Sequence, residues 1–187
     1  MKKIILFLLA TILLNTTFSA QEKLPIHIEK SSIKWIGEYT FYFGGHDGFI
    51  NFKEGYFIKT DDVITGGEFM IDMNSITNTD IEEQKGKVSL VDHLKNEDFF
   101  DVKKYPLGKL VITKVEYTDK TNARLEANLT LKGITKPINF RAEFNYGEKE
   151  LKTRFKIDRK RWNVNYESKF KDGAISDAIG FEVSIKL

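Results

Sequence analysis

The sequence predicts an all-β fold, a sandwich or a closed barrel of antiparallel strands. After the first twenty residues, apolar and polar residues alternate over most of the chain, in short segments mostly bounded by Gly, Asp, Asn or Pro. Side chains on a strand point to opposite faces in turn, so each segment has one apolar and one polar face. No linker, repeat or charge shift interrupts residues 21–187, which we therefore interpret as one domain.

Eight segments carry this strand pattern. In chain order they are 32–43, 48–58, 66–73, 109–117, 125–131, 138–146, 151–157 and 179–187. Two hairpin turns are also predicted, at 119–122 and 145–149. Eight antiparallel strands can close a small barrel, which is just wide enough either to fill with side chains or to hold one ligand. The composition does not decide between these two outcomes.

One stretch breaks the alternation and predicts a short helical insert around 86–101. Ser89 and Asp92 have the spacing of a capping box, with Asp in place of the preferred Glu. Leu90 and Leu94 follow on one helical face. Such an insert must cover an apolar surface, and the open end of a barrel is the obvious place. Its large apolar residues there are Leu90, Leu94, Phe99 and Phe100.

The first twenty residues have the organisation of a secretory signal peptide. Lys2 and Lys3 precede an apolar run over 4–14, and small residues at Ser19 and Ala20 suit cleavage after either one. An eleven-residue run is too short to span about 30 Å of hydrocarbon, and no later stretch approaches the required length. We therefore expect a periplasmic or secreted protein whose mature chain has no integral membrane span.

Composition excludes several classes of chemistry and one class of partner. The chain has no cysteine, which rules out disulfides, thiol nucleophiles and cysteine metal sites. Of its 29 basic residues two lie in the leader, which has no acidic residue, so 27 residues of each sign remain in the mature chain. This balance argues against nucleic acid. The basic stretch at 154–161 is interpreted as a solvated strand face, with anionic head groups as the alternative.

No motif in the sequence predicts a catalytic centre. The three histidines lie in separate segments without metal-ligand spacing, and nucleophile-elbow or phosphate-loop motifs do not occur. We therefore expect no catalytic residue, no metal and no cofactor. His46 is interpreted as a turn residue or as a polar group at a cavity mouth, and His93 as a helix-surface or core histidine. An enzyme that uses either one with an acidic neighbour on an apolar substrate stays an alternative.

Several blocks spread over the mature chain resemble the YceI-like family. They are WxG at 35–37, GHxG at 45–48, GGxFxIDMxSI at 66–76, HLKxxDFFDVxxYP at 93–106, LTLKGITKP at 129–137 and IDRxxW at 157–162. The resemblance implies a lipocalin-like antiparallel barrel with an apolar cavity that holds a long isoprenoid chain, in the periplasm or outside the cell. It implies no enzymatic activity, and it places the helical insert near the cavity opening.

With this resemblance we expect a lipid-binding protein whose inward-facing aromatic residues line the cavity. The predicted ligand-contacting residues are Trp35, Phe41, Phe43, His46, Phe69, Ile71, Leu94, Phe99, Phe100, Phe140, Phe144, Phe155, Ile157 and Trp162. Burial of each methylene group contributes about 0.8 kcal/mol, so a long apolar chain binds tightly with few polar contacts. Rival interpretations are an outer-membrane barrel, the enzyme above, and a stress-response or adhesion protein whose cavity is incidental.

Overall fold

Nine strands and one helix organise the residues that the computed structural model describes, which are 20–41, 43–166 and 175–187. The strands are β1 Gln21–Pro25, β2 Ser32–Tyr39, β3 Gly45–Thr60, β4 Val63–Asp72, β5 Leu107–Tyr117, β6 Asn122–Leu131, β7 Ile134–Asn145, β8 Glu150–Asp158 and β9 Ile175–Lys186. The helix, α1, is Gln84–Lys95, and short 3₁₀ turns lie at Ile28–Lys30, Met73–Ser75 and Arg159–Trp162.

Strands β2 to β9 form a closed antiparallel ring. Each strand pairs with its neighbour in sequence, and β2 pairs with β9 to complete the circle. This confirms the predicted eight-stranded, lipocalin-like barrel and excludes the sandwich. Closure also removes the exposed sheet edges that a sandwich would leave.

The ninth strand, β1, was not predicted. It pairs with the second half of β3, from Gln21 opposite Thr60 to Pro25 opposite Tyr56. Its sequence, QEKLP, has a single apolar residue before a proline, so it shows no alternation that could indicate a strand. The predicted signal peptide lies outside the described residues apart from Ala20, and β1 begins one residue after the later of the two predicted cleavage points.

The helical insert is confirmed, but it begins earlier than predicted. Glu83 is the N-cap, because its carboxylate accepts hydrogen bonds from the backbone N–H groups of Lys85 at 3.0 Å and Gly86 at 2.7 Å. Ser89 therefore lies inside the helix, and the predicted capping box is wrong. Residues 96–100 form turns, in which the N–H of Asp101 donates to the carbonyl of Asn96 at 2.7 Å.

The barrel has two different ends. We call the mouth the end where β2, β4, β6 and β8 finish, and the base the end where the β3–β4, β5–β6 and β7–β8 turns lie. Helix α1 belongs to the connection between β4 and β5, so it lies at the mouth. The prediction that the insert covers the open end of the barrel agrees with this placement.

The ring is weakest between β7 and β8. These strands pair over only four positions, from Ala142 opposite Thr153 to Asn145 opposite Glu150, whereas the other neighbours in the ring pair over six or more. We call the unpaired remainder the β7–β8 seam. The rings of Phe140 and Phe155 stack there with centroids 4.6 Å apart. Side-chain packing therefore replaces backbone hydrogen bonds along the seam.

The turn at Arg159–Trp162 anchors the mouth end of β8. Trp162 is fully buried, and its indole Nε1–H donates to the carbonyl oxygen of Leu129 at 3.0 Å. Arg161 Nη2 donates to the carbonyl oxygen of Pro137 at 2.9 Å. The turn thus attaches β8 to β6 and β7, beyond the point where the β7–β8 ladder ends.

Glu150, at the start of β8, predicts an acid-sensitive element of stability. Its buried carboxylate accepts from the Ser184 hydroxyl at 2.6 Å and contacts Lys152 and Lys186 at 3.1 Å each. The Ser184 hydrogen bond, followed by the two lysines, lowers the pKa of Glu150 from 4.5 to about 2, although burial opposes the shift. Its stabilisation is therefore complete above pH 4.5 and is lost as the pH falls toward 2.

We expect the Glu150→Gln variant to be less stable than the wild type at neutral pH and to lose less stability on acidification. Urea unfolding of both proteins between neutral pH and pH 3 measures this difference, and Glu54→Gln, at an exposed position of β3, serves as the control. Parallel stability curves for wild type and Glu150→Gln across that range would contradict the prediction.

Candidate ligand-binding cavity

The barrel encloses a cavity of about 340 Å³ that extends from the mouth toward the base. This volume lies near the lower end of the range for small-molecule sites, roughly 300–1,000 Å³. The strands supply the wall through their inward-facing positions, as period-two alternation requires. Most wall side chains are apolar, for example Ile50 and Phe52 of β3, Leu125 of β6 and Val183 of β9.

Nine of the predicted ligand-contacting residues lie in this wall. They are Trp35, His46, Phe69, Ile71, Leu94, Phe99, Phe100, Phe140 and Phe155. Trp35 is fixed by its indole N–H, which donates to the carbonyl oxygen of Thr77 at 2.9 Å. Leu94, Phe99 and Phe100 reach the cavity from α1 and the turns that follow it, so the insert contributes to the wall at the mouth.

Two predicted wall residues, Phe41 and Phe43, lie outside the cavity, which corrects the prediction that they point inward. Strand β2 ends at Tyr39, and the N–H of Tyr39 donates to the carbonyl of Gly44 across the hairpin. Both phenylalanines therefore lie in the connection between β2 and β3, where Phe41 is 69% exposed and Phe43 is fully exposed. The apolar alternation of the sequence continues beyond the last paired residue of the strand.

Three further predicted residues are buried without lining the main cavity, which corrects their predicted position. Ile157 packs in the core opposite Ile179, and Trp162 lies in the 3₁₀ turn described above. Phe144 lines a second, smaller cavity of about 80 Å³ at the base. Phe57 and Leu151 line both cavities and therefore form the floor of the main one. Whether any of the predicted residues contacts a ligand stays a prediction.

Polar wall side chains concentrate at the mouth. Among the described residues, Thr153 lies farther along the barrel, and the others belong to strand ends, to α1, to the turn Arg159–Trp162 or to the segment after it. These mouth residues are Tyr39, His46, His93, Arg159, Tyr166 and Ser176. The cavity therefore has an apolar interior and one polar end.

His46 joins a hydrogen-bonded chain at the mouth. Its Nε2 lies 3.1 Å from the Tyr39 hydroxyl, and its Nδ1 lies 2.8 Å from a carboxylate oxygen of Asp80. Burial works against ionisation of Asp80, but hydrogen bonds from the Asp47 N–H, His46 and Asn78 hold the pKa of Asp80 below its ordinary value. An ionised carboxylate only accepts hydrogen bonds, so His46 must carry a proton on Nδ1 to donate to Asp80. In the neutral imidazole, Nε2 then accepts a hydrogen bond from the Tyr39 hydroxyl.

The segment 75–80 holds Asp80 in place by running along the free side of β3. The N–H of Thr77 donates to the carbonyl of Phe49, and the N–H of Thr79 donates to the carbonyl of Asp47, both at 2.9 Å. A Cβ on Gly48 would lie 1.9 Å from the Thr77 carbonyl oxygen, so only glycine permits this approach. Nothing in the local sequence indicated that Asp80 reaches His46.

His93, on α1, forms a second polar group at the mouth. Its Nε2 lies 2.9 Å from a carboxylate oxygen of Asp98, and its ring packs edge-on against Phe99 and Tyr166, with centroids 5.0 and 4.4 Å away. The predicted position of His93 is the helix surface or the core. The structure places it in the cavity wall, half-buried between the helix and the segment after β8.

Arg159 is a buried cation in the wall, which corrects its interpretation as part of a solvated basic face. Its guanidinium donates to the carbonyl oxygens of Ser176 at 3.2 Å and Val164 at 2.5 Å, and to Asp177 at 3.1 Å. The inward position of Arg159 could have been predicted from the alternation of β8. Continued by one residue past the strand end, this alternation places position 159 on the same inward side as Phe155 and Ile157. Arg154 and Lys156, of opposite parity, are exposed as predicted.

A protein-family model described as "YceI-like domain" matches residues 25–187 of the chain. The chain belongs to the YceI-like family. Curated relatives of this YceI-like protein include a UPF0312 protein of Pseudomonas putida strain W619, 49% identical over 53 residues, and one of Pseudomonas fluorescens strain SBW25, 42% identical over 53 residues. Each of these matches covers 28% of this chain and 28% of the relative.

Solved structures show the same fold. Burkholderia cenocepacia BcnA superposes with a TM-score of 0.71 at 15% identity, over 86% of this chain and 98% of BcnA. A Campylobacter jejuni YCEI protein gives a TM-score of 0.50 at 23% identity, over 65% of this chain and 72% of that protein. Across the described ranges, the YceI-like protein has no helix long and apolar enough to cross a membrane.

Proposed function

We propose that the protein is an extracytoplasmic carrier that holds a long apolar ligand of the isoprenoid type in the barrel cavity. The observation that carries the proposal is the division of the cavity wall into an apolar interior and a polar mouth. An amphipathic molecule with an apolar tail fits this division, because its tail leaves water while its polar end keeps hydrogen-bonding partners. Such a ligand is nearly insoluble and needs a protein to cross an aqueous compartment.

Charges at the mouth favour a ligand whose polar end is uncharged. The guanidinium of Arg159 already pairs with Asp177, and His46 and His93 already contact Asp80 and Asp98. An anionic head group would have to displace one of these carboxylates. A hydroxyl or carbonyl group could instead hydrogen-bond to the Tyr39–His46 chain without disturbing an ion pair.

Two features of the chain support a location outside the cytoplasm. The first twenty residues have the sequence of a signal peptide, and the first described strand, β1, begins at Gln21, directly after the later predicted cleavage site. The mature chain also lacks cysteine, so an oxidising compartment does not affect it.

Mass spectrometry tests the proposal. We expect the protein purified under gentle conditions to carry about one apolar molecule per chain, seen by native mass spectrometry and identified after solvent extraction. Reading the mass of the same protein tests cleavage after Ser19 or Ala20. Purified protein that is free of ligand and takes up no long-chain isoprenoid alcohol added to it would contradict the proposal.

A catalytic role is a second candidate because both mouth histidines contact carboxylates, at 2.8 and 2.9 Å. Such a pairing holds the imidazole in one orientation and tautomer and is common where histidine acts as a general base. The same extraction separates the two functions. A carrier returns its ligand chemically unchanged after incubation, whereas an enzyme converts it to a product of different mass.

A further inference from the structure

The connection between β2 and β3 exposes two phenylalanine side chains to solvent. Phe41 is 69% exposed and Phe43 is fully exposed, and they are two residues apart. Single exposed apolar residues are common on protein surfaces. Two neighbouring phenylalanines are costly to leave in water, because burial of each would contribute about 1.5–3 kcal/mol. They form an apolar patch, which we call the Phe41/Phe43 patch.

The patch lies beside the mouth of the cavity. The last residue of β2, Tyr39, and the second residue of β3, His46, both line the cavity and are hydrogen-bonded to each other. The two phenylalanines lie on the chain between them. A ligand that enters or leaves through the mouth therefore passes next to this patch.

The opposite end of the barrel has a different surface. The base turns carry acidic and basic residues: Asp61 and Asp62 between β3 and β4, Asp119 between β5 and β6, and Glu148 and Lys149 between β7 and β8. Polar turn residues are the usual composition of hairpins that face water. Tyr146 is also exposed at the base, at 47%, but its hydroxyl is hydrogen-bonded to that of Tyr117. Among the described residues, two neighbouring exposed phenylalanines therefore occur at the mouth and not at the base.

Two physical arguments identify a lipid bilayer as what covers the patch. The charged side chains of β2 and of the first part of β3 are paired, Lys34 with Asp47 at 2.8 Å and Glu38 with Lys156 at 2.7 Å, so these two strands favour an uncharged surface next to the patch. An aromatic side chain buries about 150–250 Å². Two of them fall well short of the 1,200–2,000 Å² or so of a stable protein interface. A bilayer interface, in contrast, accommodates single aromatic rings.

We propose that Phe41 and Phe43 insert into the interfacial region of a lipid bilayer and bring the cavity mouth against the membrane. An apolar ligand then passes between bilayer and cavity without crossing water. The purpose of the contact rests on the proposed carrier function, whereas the contact itself does not depend on any ligand. Because the charged side chains of the two strands that flank the patch are paired, we expect binding that needs no anionic lipid and persists at physiological salt.

Flotation with pure phosphatidylcholine vesicles tests the proposal. The purified wild type is compared with the Phe41→Ser/Phe43→Ser double variant and with Val63→Ser, an exposed apolar position at the base of the barrel. All three proteins must have the same N-terminus by mass spectrometry. We expect the double variant to bind at least about tenfold more weakly than the wild type, and Val63→Ser to bind as the wild type does.

A second measurement follows the insertion directly. In a Phe43→Trp variant, phosphatidylcholine brominated on its acyl chains should quench the added tryptophan fluorescence, whereas Val63→Trp should not be quenched. Equal flotation of the wild type and the double variant would overturn the proposal. So would binding that requires anionic lipid, or a dimer in solution that the double variant abolishes. Ligand content of the double variant, by native mass spectrometry, separates this outcome from a failure of the carrier function.

Discussion

A Val183→Trp variant is expected to lose its ligand while it keeps its fold. Val183 lies in the middle of β9, opposite Ile33 of β2 and Thr153 of β8, and its side chain faces the cavity. A tryptophan at this position fills space that the apolar tail would occupy. We expect at least about a tenfold loss of bound ligand, which corresponds to about 1.4 kcal/mol or more of binding free energy. Native mass spectrometry of the purified variant measures the amount of bound ligand per chain.

The matched control places the same side chain on the outside of the same strand. Glu182 faces solvent and pairs with Arg154 at 3.3 Å, so Glu182→Trp adds a tryptophan without entering the cavity. We expect this variant to retain its ligand. If Val183→Trp carries as much ligand as Glu182→Trp, the ligand does not occupy the cavity. Thermal unfolding of both variants shows that the barrel is intact.

Replacement of Trp162 by alanine is expected to give the largest loss of stability. The side chain is fully buried, and its removal leaves a cavity that costs about 3–5 kcal/mol. It also leaves the Leu129 carbonyl without its hydrogen-bond donor, at a further cost of about 1–3 kcal/mol. Small proteins have a total unfolding free energy of about 5–15 kcal/mol, so this variant is near the limit of folding. Urea unfolding of the variant and the wild type measures the loss of unfolding free energy.

Trp162→Phe separates the two contributions. It keeps most of the apolar volume but cannot donate to Leu129, so we expect a loss of about 1–3 kcal/mol. A Trp162→Ala variant that unfolds at the same urea concentration as the wild type would show that the 3₁₀ turn does not anchor β8.

Strand alternation was sufficient to predict an all-β fold and most of the inward-facing positions of the barrel wall. The inward positions of each strand are fixed by a period of two, so residues such as Phe69, Phe140 and Phe155 could be placed without a structure. The family resemblance, now confirmed, chose the closed barrel over the sandwich. Strand ends could not be predicted, since the pattern at Phe41 and Phe43 continues past the last backbone hydrogen bonds of β2.

Contacts between distant segments were beyond the sequence. Asp80 reaches His46 because the segment 75–80 lies along β3, and that path depends on a close approach at Gly48 rather than on any local motif. The start of α1 was missed because a glutamate three residues before Gly86 caps the helix, whereas Ser89 offered the more familiar pattern. Arg159 was predicted on the solvated face because it belongs to a basic stretch, although the alternation of β8 placed it on the inward side.

The β7–β8 seam gives the barrel one line along which its circumference is not fixed by the backbone. Elsewhere in the ring, a change in width would break ladder hydrogen bonds between at least six residue pairs. At the seam no ladder pairing joins β7 to β8, and the stack of Phe140 on Phe155 holds the strands together, with the hydrogen bond from Arg161 to Pro137 at the mouth end. We therefore expect the width of the cavity to be less constrained along this line than along the fully paired strands of the ring. If the cavity holds a ligand as proposed, we expect the thickness that it accepts to depend on the Phe140–Phe155 stack more than on any strand ladder.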